Sequence, residues 1–384
     1  MKQDWEIKKL GEIILENKKS TLKSKGNEVG VYPFFISGMK VKTFNKSIID
    51  GQNIYLPTGG NFYVHFYEGK ASYSTDTWSL KTIKNTDIKY LYYFLLLNRD
   101  YINEKHFKGA TIKHLQKNDF REIKIPLPLL PEQQCIVAIL DEALAAIAKA
   151  KANAEQNLIN ATALFESYLQ GVFGNKGDGW EEKTLGDVFD IGSSKRIMEK
   201  DWTVDGVPFY GGKEIVKLAK FGLVVSNSYI SEEKYNEYAS KYDMPQQGDI
   251  LITARGTIGI GYIVKKGDKF YYKDGNIISM RAKMPTNPEF ILYALKSNAV
   301  NDQLKKLTGA TVSHLPIEKA KLLVLTIPSF STQNTVVEKI QEIETETKKL
   351  EAIYKQKIND LEELKKSVLQ KAFSGELKTV KEVV

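Results

Sequence analysis

The stretch from Glu132 to Val172, EQQCIVAILDEALAAIAKAKANAEQNLINATALFESYLQGV, decides the fold of this chain. It has no proline and a single glycine, Gly171, and its apolar or small residues recur at alternating steps of four and three. This spacing places them along one face of an α-helix. The set is Ile136, Leu140, Ala143, Ile147, Ala150, Ala154, Leu158, Ala161, Phe165, Tyr168 and Val172. The sequence therefore predicts one long helix with a continuous apolar seam.

The pattern returns 200 residues later, from Thr332 to Ala372. The seam there is Val336, Ile340, Ile343, Thr347, Leu350, Tyr354, Ile358, Leu361, Lys365, Val368 and Ala372, and we expect Leu364 to replace Lys365 in it. An amphipathic helix packed only on its own domain is one interpretation. However, 41 residues span about 60 Å, which exceeds a domain of this size. We therefore predict that the two helices pair with each other, antiparallel, as a coiled coil.

The remainder of the chain is also repeated. Trp5-Glu6-Ile7-Lys8-Lys9-Leu10-Gly11-Glu12-Ile13 recurs as Trp180-Glu181-Glu182-Lys183-Thr184-Leu185-Gly186-Asp187-Val188, at an offset of 175. Gly109-Ala110-Thr111 recurs as Gly309-Ala310-Thr311, at an offset of 200. The second copy therefore has about 25 extra residues, which fall between Tyr210 and Gly248. Long-range self-similarity of this kind indicates an internal duplication.

Each copy begins with a region of different texture from the helices. Short β-branched or aromatic runs alternate there with Gly, Pro, Asn and Asp, which predicts strands, turns and short helices. The predicted fold class is α+β, with two mixed-sheet domains joined by two long helices about a pseudo-twofold repeat. The predicted boundaries are 1–131 for the first domain, 132–173 for the central helix, 174–331 for the second domain and 332–384 for the C-terminal helix and tail.

One difference between the copies lies at the start of the helices. The second has Ser331-Thr332-Gln333-Asn334 where the first has Pro131-Glu132-Gln133-Gln134, so we expect the second helix to begin differently.

The two domains also have a similar apolar pattern. It aligns Tyr90, Leu91, Tyr93 and Leu95 with Phe290, Ile291, Tyr293 and Leu295, and predicts a buried helix face common to both domains.

Composition excludes several classes of protein. The chain has 384 residues, 42% of them hydrophobic, which is enough for real cores. No stretch has the roughly 18 uninterrupted apolar residues of a membrane span, and the first residues lack a signal peptide, so we expect a cytoplasmic protein with no membrane partner. One cysteine, Cys135, and four histidines form no cluster with metal-ligand spacing, so we expect no metal site.

The positive charge is concentrated outside the helices. The formal net charge is +8, the two helical stretches have net charges of −3 and 0, and the remaining segments therefore have +11. This distribution favours two domains that bind a polyanion, held apart by helices without excess positive charge. Lysines that serve only solubility are the alternative.

The candidate DNA-binding residues are polar side chains on turns bounded by glycine, because Arg pairs with guanine edges and Asn with adenine edges. Thr111, His114, Thr311 and His314 are added because they repeat at equal positions, and we interpret both histidines as hydrogen-bonding or phosphate-contacting residues rather than catalytic bases. The other candidates are Ser37, Lys40, Thr58, Asn61, Lys213, Arg255, Thr257, Lys273 and Asn276. Arg255, Asn61 and Asn276 are weighted highest.

Catalytic motifs are missing. The chain has no nucleotide-binding Gly-x-x-x-x-Gly-Lys-Ser/Thr loop, and Gly256-Thr257-Ile258-Gly259-Ile260-Gly261 has the wrong spacing for a dinucleotide fingerprint, so we predict a strand-turn-strand there. No motif for amino-group methylation is present. Asp50, Glu68 and Lys70 match the carboxylate pair and lysine of metal-dependent nucleases, but the pattern is loose and the second copy lacks it. We predict no catalytic residues.

These features together resemble one family over essentially the whole chain. The segments are the Trp-x-x-x-x-Leu-Gly-Asp/Glu opening of each half, Gly248 to Gly259, both Gly-Ala-Thr segments, Ile125 to Gln134, and the Leu-Gln-x-x-Phe helix ends. They are similar to the specificity (S) subunit of type I restriction-modification enzymes. In place of Gly248 to Gly259 the first half has Gly51-Gln52-Asn53-Ile54-Tyr55-Leu56-Pro57-Thr58-Gly59-Gly60, so Arg255 has no basic partner there.

The resemblance implies a non-catalytic subunit of a larger complex, with two target recognition domains joined by antiparallel helices. Each domain would recognise half of a split, asymmetric site in double-stranded DNA, while the helices set the gap. The implied partners are two methyltransferase subunits that methylate adenine N6 and two restriction subunits that translocate and cut DNA. This chain would need no cofactor, whereas its partners would use S-adenosylmethionine, ATP and magnesium. A coiled-coil scaffold whose basic domains bind proteins is the alternative function.

Overall fold

The computed structural model describes residues 4–24, 30–175, 177–308 and 314–377. The chain divides into two compact units, Met1–Asn157 with Tyr354–Val384, and Leu158–Ile353. Each unit contains one mixed α/β region and parts of both long helices.

The first unit begins with the mixed region. Its elements in chain order are β1 (Glu6–Lys9), α1 (Leu10–Ile13), β2 (Ile14–Glu16), β3 (Tyr32–Phe35), β4 (Lys42–Phe44), β5 (Gln52–Pro57), β6 (His65–Glu68), β7 (Ser72–Tyr73), β8 (Thr77–Thr82), α2 (Ile88–Leu97), α3 (Arg99–Lys105), β9 (Phe107–Lys108), β10 (His114–Leu115), α4 (Lys117–Arg121) and β11 (Lys124–Leu127). The long helix α5 (Leu130–Gly174) follows. The main sheet is antiparallel, in the order β2-β8-β5-β6, and a second sheet has the order β4-β3-β7.

The second unit repeats this plan. Its elements are β12 (Glu181–Thr184), α6 (Leu185–Val188), β13 (Phe189–Gly192), a 3₁₀ turn (Glu199–Asp201), β14 (Trp202–Thr203), β15 (Val207–Tyr210), α7 (Gly212–Phe221), β16 (Tyr229–Ile230), α8 (Glu232–Lys241), β17 (Ile250–Thr253), β18 (Gly261–Ile263), β19 (Tyr271–Tyr272), β20 (Ile277–Ala282), α9 (Pro288–Leu295), α10 (Asn298–Thr308), α11 (Ile317–Lys321), β21 (Val324–Ile327) and α12 (Phe330–Ser374). Its main sheet has the order β13-β20-β17-β18, the counterpart of β2-β8-β5-β6.

Strand register confirms the duplication. Ile14 pairs with Thr82 in the first unit, and Phe189 pairs with Ala282 in the second, so the partners keep the offsets of 175 and 200. Residues 254–260 join β17 to β18, which begins at Gly261, so the predicted strand-turn-strand is confirmed. The extra residues of the second copy form α7 and α8, which have no helical counterpart between β3 and β5.

The long helices pack antiparallel in each unit, as predicted. In the first unit Lys151 of α5 forms an ion pair with Glu362 of α12. In the second unit Thr162 of α5 donates to Glu351 of α12 at 3.1 Å, so the register is the same in both. Most seam residues are buried or half-buried, as an apolar stripe at this spacing requires.

The end of each long helix completes a domain core. Phe373 of α12 packs in the first unit on Tyr90 and Phe94 of α2, with ring centroids 4.9 and 5.5 Å apart. Phe173 of α5 packs in the second unit on Phe290 of α9, with centroids 5.3 Å apart. The common helix face predicted for α2 and α9 is buried, as expected. Removal of a buried aromatic such as Phe373 costs about 3–5 kcal/mol.

Two details of the helix prediction are wrong. Lys365 keeps its place in the seam with a half-buried side chain, whereas Leu364 is 48% exposed. The reason is phase: Leu364 lies one residue, or about 100°, away from the seam, and the aliphatic stem of lysine can pack on apolar surface while its ammonium stays in water. The second helix does not begin differently, because α5 starts at Leu130 and α12 at the equivalent Phe330.

Candidate nucleic-acid interface

The turn between β17 and β18 presents Arg255 to solvent. The buried Thr253 hydroxyl donates to the carbonyl of Thr257 and accepts from the backbone N–H of Ile260 at 3.1 Å. Gly256 and Gly259 adopt φ values of +76° and +83°, which favour glycine over L-residues with side chains. This one threonine therefore holds both sides of the turn, and Arg255 and Thr257 are exposed on it.

Arg255 lies at the junction of two cavities. One, of about 520 Å³, is lined by Arg255, Lys273 and Asn276 together with the segment from Arg196 to Trp202. The other, of about 340 Å³, is lined by Lys213, Thr257, Arg255 and Asn276 among others. The structure thus brings together five of the seven candidates that sequence selects in the second domain. Of the other two, His314 is not among the residues that line these cavities and Thr311 lies outside the described residues. We call this region the Arg255 cleft.

The far wall of the Arg255 cleft is a segment that the sequence analysis missed. Tyr271 anchors it, because its hydroxyl donates to the carbonyl of Lys195 at 3.0 Å and accepts from the N–H of Lys195 at 2.9 Å. Burial raises the pKa of Tyr271 to about 12, so the phenol keeps its proton at neutral pH. This wall places Arg196 and Lys200 in the cleft.

Charges in the Arg255 cleft are partly compensated. Arg196 forms an ion pair with Asp274 at 2.9 Å, and the Lys273 ammonium lies 5.1 Å from the Trp202 ring centroid, a cation–π geometry. Lys200 and Arg255 are exposed and have no ion pair with any residue that the structure describes. The cleft therefore offers positive charge to an anionic ligand beside a hydrogen-bonding amide, Asn276.

Helix α7 extends this positive surface. Ile215 and Leu218 are buried on one face, while Lys213, Lys217 and Lys220 are exposed at helical spacing on another. None of these three lysines pairs with a carboxylate within the described ranges. Lys213 also lines the Arg255 cleft. We call the three residues the α7 lysine stripe.

The first domain has the same backbone pairing around its turn, but the residues of the turn differ. His114 forms a β-bridge with Gly59, and the N–H of Leu115 donates to the carbonyl of Thr58 at 3.0 Å. In the second domain His314 forms the bridge with Arg255, and the N–H of Leu315 donates to the carbonyl of Ala254 at 2.8 Å. Gly59 therefore occupies the position of Arg255.

The remaining candidates of the first domain lie on neighbouring loops. The Thr58 hydroxyl donates to the carbonyl of Asp76 at 3.0 Å, and the exposed Asn61 follows Gly60, whose φ of +87° matches that of Gly256. Ser37 and Lys40 lie in the loop from β3 to β4 and Thr111 is exposed just before β10. Thr311 lies outside the described residues.

The loop with Ser37 is joined to β6 through a histidine. His65 Nε2 lies 3.4 Å from the carbonyl oxygen of Gly38. Burial lowers the pKa of His65, against the opposing effect of this hydrogen bond, so its imidazole is neutral at pH 7.

The structure groups no further metal-ligating side chain with Asp50 and Glu68 within the residues that it describes. Asp50 accepts from the N–H of Gly51 at 2.7 Å, and Glu68 accepts from the Gln52 amide at 3.1 Å. Within residues 4–24, 30–175, 177–308 and 314–377, no three His, Cys, Asp or Glu side chains are grouped as a metal site. In the same ranges no helix combines the length and apolarity needed to cross a membrane.

Comparison with known families identifies the class of protein. Residues 2–157 and 177–363 each match the type I restriction modification DNA specificity domain. Because these two matches cover most of the chain, it belongs to this family of DNA specificity proteins.

One relative is similar to the chain along nearly its whole length, and another over a shorter region. The chain is 26% identical to the type I restriction enzyme MjaVIII specificity subunit of Methanocaldococcus jannaschii, over 98% of this chain and 93% of that one. It is 33% identical to the type I restriction enzyme EcoDI specificity subunit of Escherichia coli over a shorter region, 40% of this chain and 34% of that one.

Solved structures share the fold. One, from work on complex assembly and conformational transition of the type I R-M system, has a TM-score of 0.71 at 17% identity, over 97% of this chain and 98% of that one. The HsdS subunit of Thermoanaerobacter tengcongensis has a TM-score of 0.61 at 17% identity, over 98% of both chains.

Proposed function

We propose that this chain is the non-catalytic subunit that recognises a split, asymmetric DNA site for a type I restriction-modification complex. The single observation that supports this best is the Arg255 cleft, where five polar or basic side chains chosen from sequence alone line one exposed surface. Each mixed domain recognises one half-site. The half-sites differ in sequence because Gly59 stands in the first domain where Arg255 stands in the second.

Direct recognition of bases follows from the chemistry of the cleft. The Arg255 guanidinium can donate two hydrogen bonds to the O6 and N7 atoms of guanine, and the Asn276 amide can pair with adenine N6 and N7. Lys200, Lys213 and Lys273 contact phosphates, which position the duplex without selecting a sequence. In the first domain, Thr58, Asn61 and the loop with Ser37 and Lys40 have the corresponding role.

The helices and partners complete the proposal. The antiparallel α5 and α12 set the number of base pairs between the half-sites, and helix surface outside the seam binds two methyltransferase subunits. The methylated adenine must leave the base stack to reach a methyltransferase, so this chain presents DNA for base flipping by its partners. Two restriction subunits join for cleavage. S-adenosylmethionine, ATP and magnesium are used by the partners, and the complex works in the cytoplasm.

Methylation sequencing tests this function. DNA is sequenced from cells that express the chain with the methyltransferase encoded beside it, and from a matched strain that lacks only this chain. We expect N6-methyladenine at one split, asymmetric motif, and its loss in the deletion strain. Unchanged methylation would refute DNA recognition and would favour the coiled-coil scaffold.

The alternative of a nuclease is tested with the purified chain. If the chain cut DNA by itself through Asp50, Glu68 and Lys70, purified protein with magnesium would nick plasmid DNA and Glu68→Ala would abolish the nicking. We expect no nicking by the purified chain, and methylation by the Glu68→Ala variant equal to wild type.

A further inference from the structure

A buried glutamine occupies the first turn of each long helix. Gln133 in α5 is 0% exposed and Gln333 in α12 is 1% exposed, whereas the next residue of α5, Gln134, is exposed. A buried primary amide must satisfy two donors and an acceptor, or it costs free energy. The same residue at the same turn of both helices, 200 positions apart, therefore indicates a definite role.

Both amides join the same three parts of their unit. Gln133 Oε1 accepts from the N–H of Asp87 at 2.8 Å, and its Nε2 donates to the carbonyl oxygens of Pro128 at 2.7 Å and Asn85 at 3.2 Å. Asp87 is the N-cap of α2, and Pro128 follows strand β11. The amide thus connects the long helix to a domain helix and to the strand that precedes it.

The second unit repeats this contact. Gln333 Oε1 accepts from the N–H of Asn287 at 2.8 Å, and its Nε2 donates to the carbonyl of Pro328 at 3.0 Å. Asn287 is the N-cap of α9, the counterpart of α2. We call these two arrangements the buried glutamine contacts.

A tyrosine provides a second point of attachment between the same helices. The hydroxyl of Tyr93 in α2 donates to Asp141 of α5, and that of Tyr293 in α9 donates to Glu344 of α12 at 2.8 Å. Two contacts separated along a helix fix its angle to the partner helix, which one contact alone does not. Each domain helix is therefore held at a defined angle on its long helix.

Packing alone does not require these polar groups. Methionine has a similar volume to glutamine and would fill the site, but it would leave the N–H of Asp87 or Asn287 without its acceptor, which costs free energy of folding. The hydrogen bonds of a buried network permit only one arrangement of the helices that it joins, because any shift of one helix leaves polar groups unpaired at low dielectric.

We propose that Gln133 and Gln333 are positioning residues for DNA recognition, which fix the orientation of each recognition domain on its long helix and so restrict the gap between half-sites to one length. This inference depends on the proposed function. It assigns to the first helical turn a part in specificity that does not involve contact with DNA.

The experiment uses the complete complex with its methyltransferase subunits. Methylation rates are measured on duplexes that contain the identified site with its natural gap, and with the gap one base pair shorter or longer. Gln133→Met and Gln333→Met remove the hydrogen bonds at nearly constant volume. Gln134→Met is the matched control at the exposed neighbour, and Tyr93→Phe tests the second attachment point.

We expect both buried variants to reduce the preference for the natural gap by tenfold or more, while methylation still requires the same bases in each half-site. Gln134→Met should keep the wild-type preference. A rate that falls equally at all three gaps, with the preference unchanged, would show a purely structural contact and overturn the inference.

Two further outcomes distinguish a variant that does not fold from a failure of the proposed function. If Gln133→Met melts too low for assay, Tyr93→Phe and Gln333→Met carry the same prediction, and an unchanged gap preference in both overturns it. If the wild-type complex methylates no split site, the proposed function itself fails. A wild-type complex with a sharp gap preference that the variants retain contradicts only the positioning role.

Discussion

Neutralisation of the α7 lysine stripe gives a quantitative test of how the second domain binds DNA. Lys213 and Lys220 are seven residues apart, or about 10 Å along the helix at 1.5 Å per residue. Phosphates of one strand advance about 3.4 Å along the duplex axis, so the stripe covers about three of them. Each phosphate contact contributes about 0.9 to the slope of log affinity against log salt. Lys213→Gln, Lys217→Gln and Lys220→Gln together should therefore lower the slope by about 2.7.

The assay is fluorescence anisotropy with the complete methyltransferase complex and a labelled duplex containing its site. Between 50 and 200 mM salt, the wild-type affinity should fall about 40-fold more than that of the triple variant. The control removes the same charge from Lys234, Lys241 and Lys269, which already pair with Glu237 and Glu232. Base preference should not change in either variant. Equal slopes for wild type and the stripe variant would refute the phosphate contacts of α7.

Four further outcomes are expected. Arg255→Ala should relax the sequence requirement of one half-site by about 1–3 kcal/mol per lost bidentate contact, and equal weakening on all DNA in a binding-site selection would demote Arg255 to a phosphate contact. Four residues inserted between 140 and 165 should change the gap between the half-sites and leave the bases of each half-site unchanged in methylation sequencing. Changed bases with an unchanged gap would contradict a spacer role. Thr253→Val should lower the free energy of unfolding in urea by about 1 kcal/mol, because the carbonyl of Thr257 and the half-buried N–H of Ile260 lose their hydrogen bonds, and an unchanged midpoint would count against that account. Because burial depresses the pKa of His65 in the folded chain, its contribution to stability is present above the ordinary pKa of 6.5 and is lost as the pH falls below that value through the lower pKa of the folded chain, and His65→Gln should reduce the loss of urea stability between pH 7.5 and 5.5.

Much of the fold could be predicted from periodicity and self-comparison. The helix seam, the duplication and the turn before Gly261 each depend on short-range spacing, which the sequence displays directly. Polarity alone did not show whether Lys365 or Leu364 fills the seam position. The aliphatic stem of the lysine can pack there, and the phase of the helix places Lys365 in the seam. Comparison of the two copies could not predict α7 and α8, because the first copy has no equivalent segment.

The candidate site was predictable only in part. Glycine-bounded turns identified Arg255, Thr257 and Asn276, which adjoin each other through strand pairing of β17 with its neighbours. Arg196 and Lys200 were missed, because their approach depends on Tyr271, which lies more than 70 residues away in sequence. The only local signal was the basic, aromatic run from Lys195 to Trp202, which no glycine bounds.

The common bridge of His114 and His314 has a consequence for engineering. Since both domains support the variable turn with the same backbone pairing, at Gly59 in one and Arg255 in the other, the turn is an exchangeable cassette in a constant frame. Transplantation of the turn after β17 into the place of the turn after β5 leaves the supporting strands and the bridging histidine in register. If the proposed function holds, substitution of a few turn residues should therefore change the preference for one half-site and leave the helices as they are.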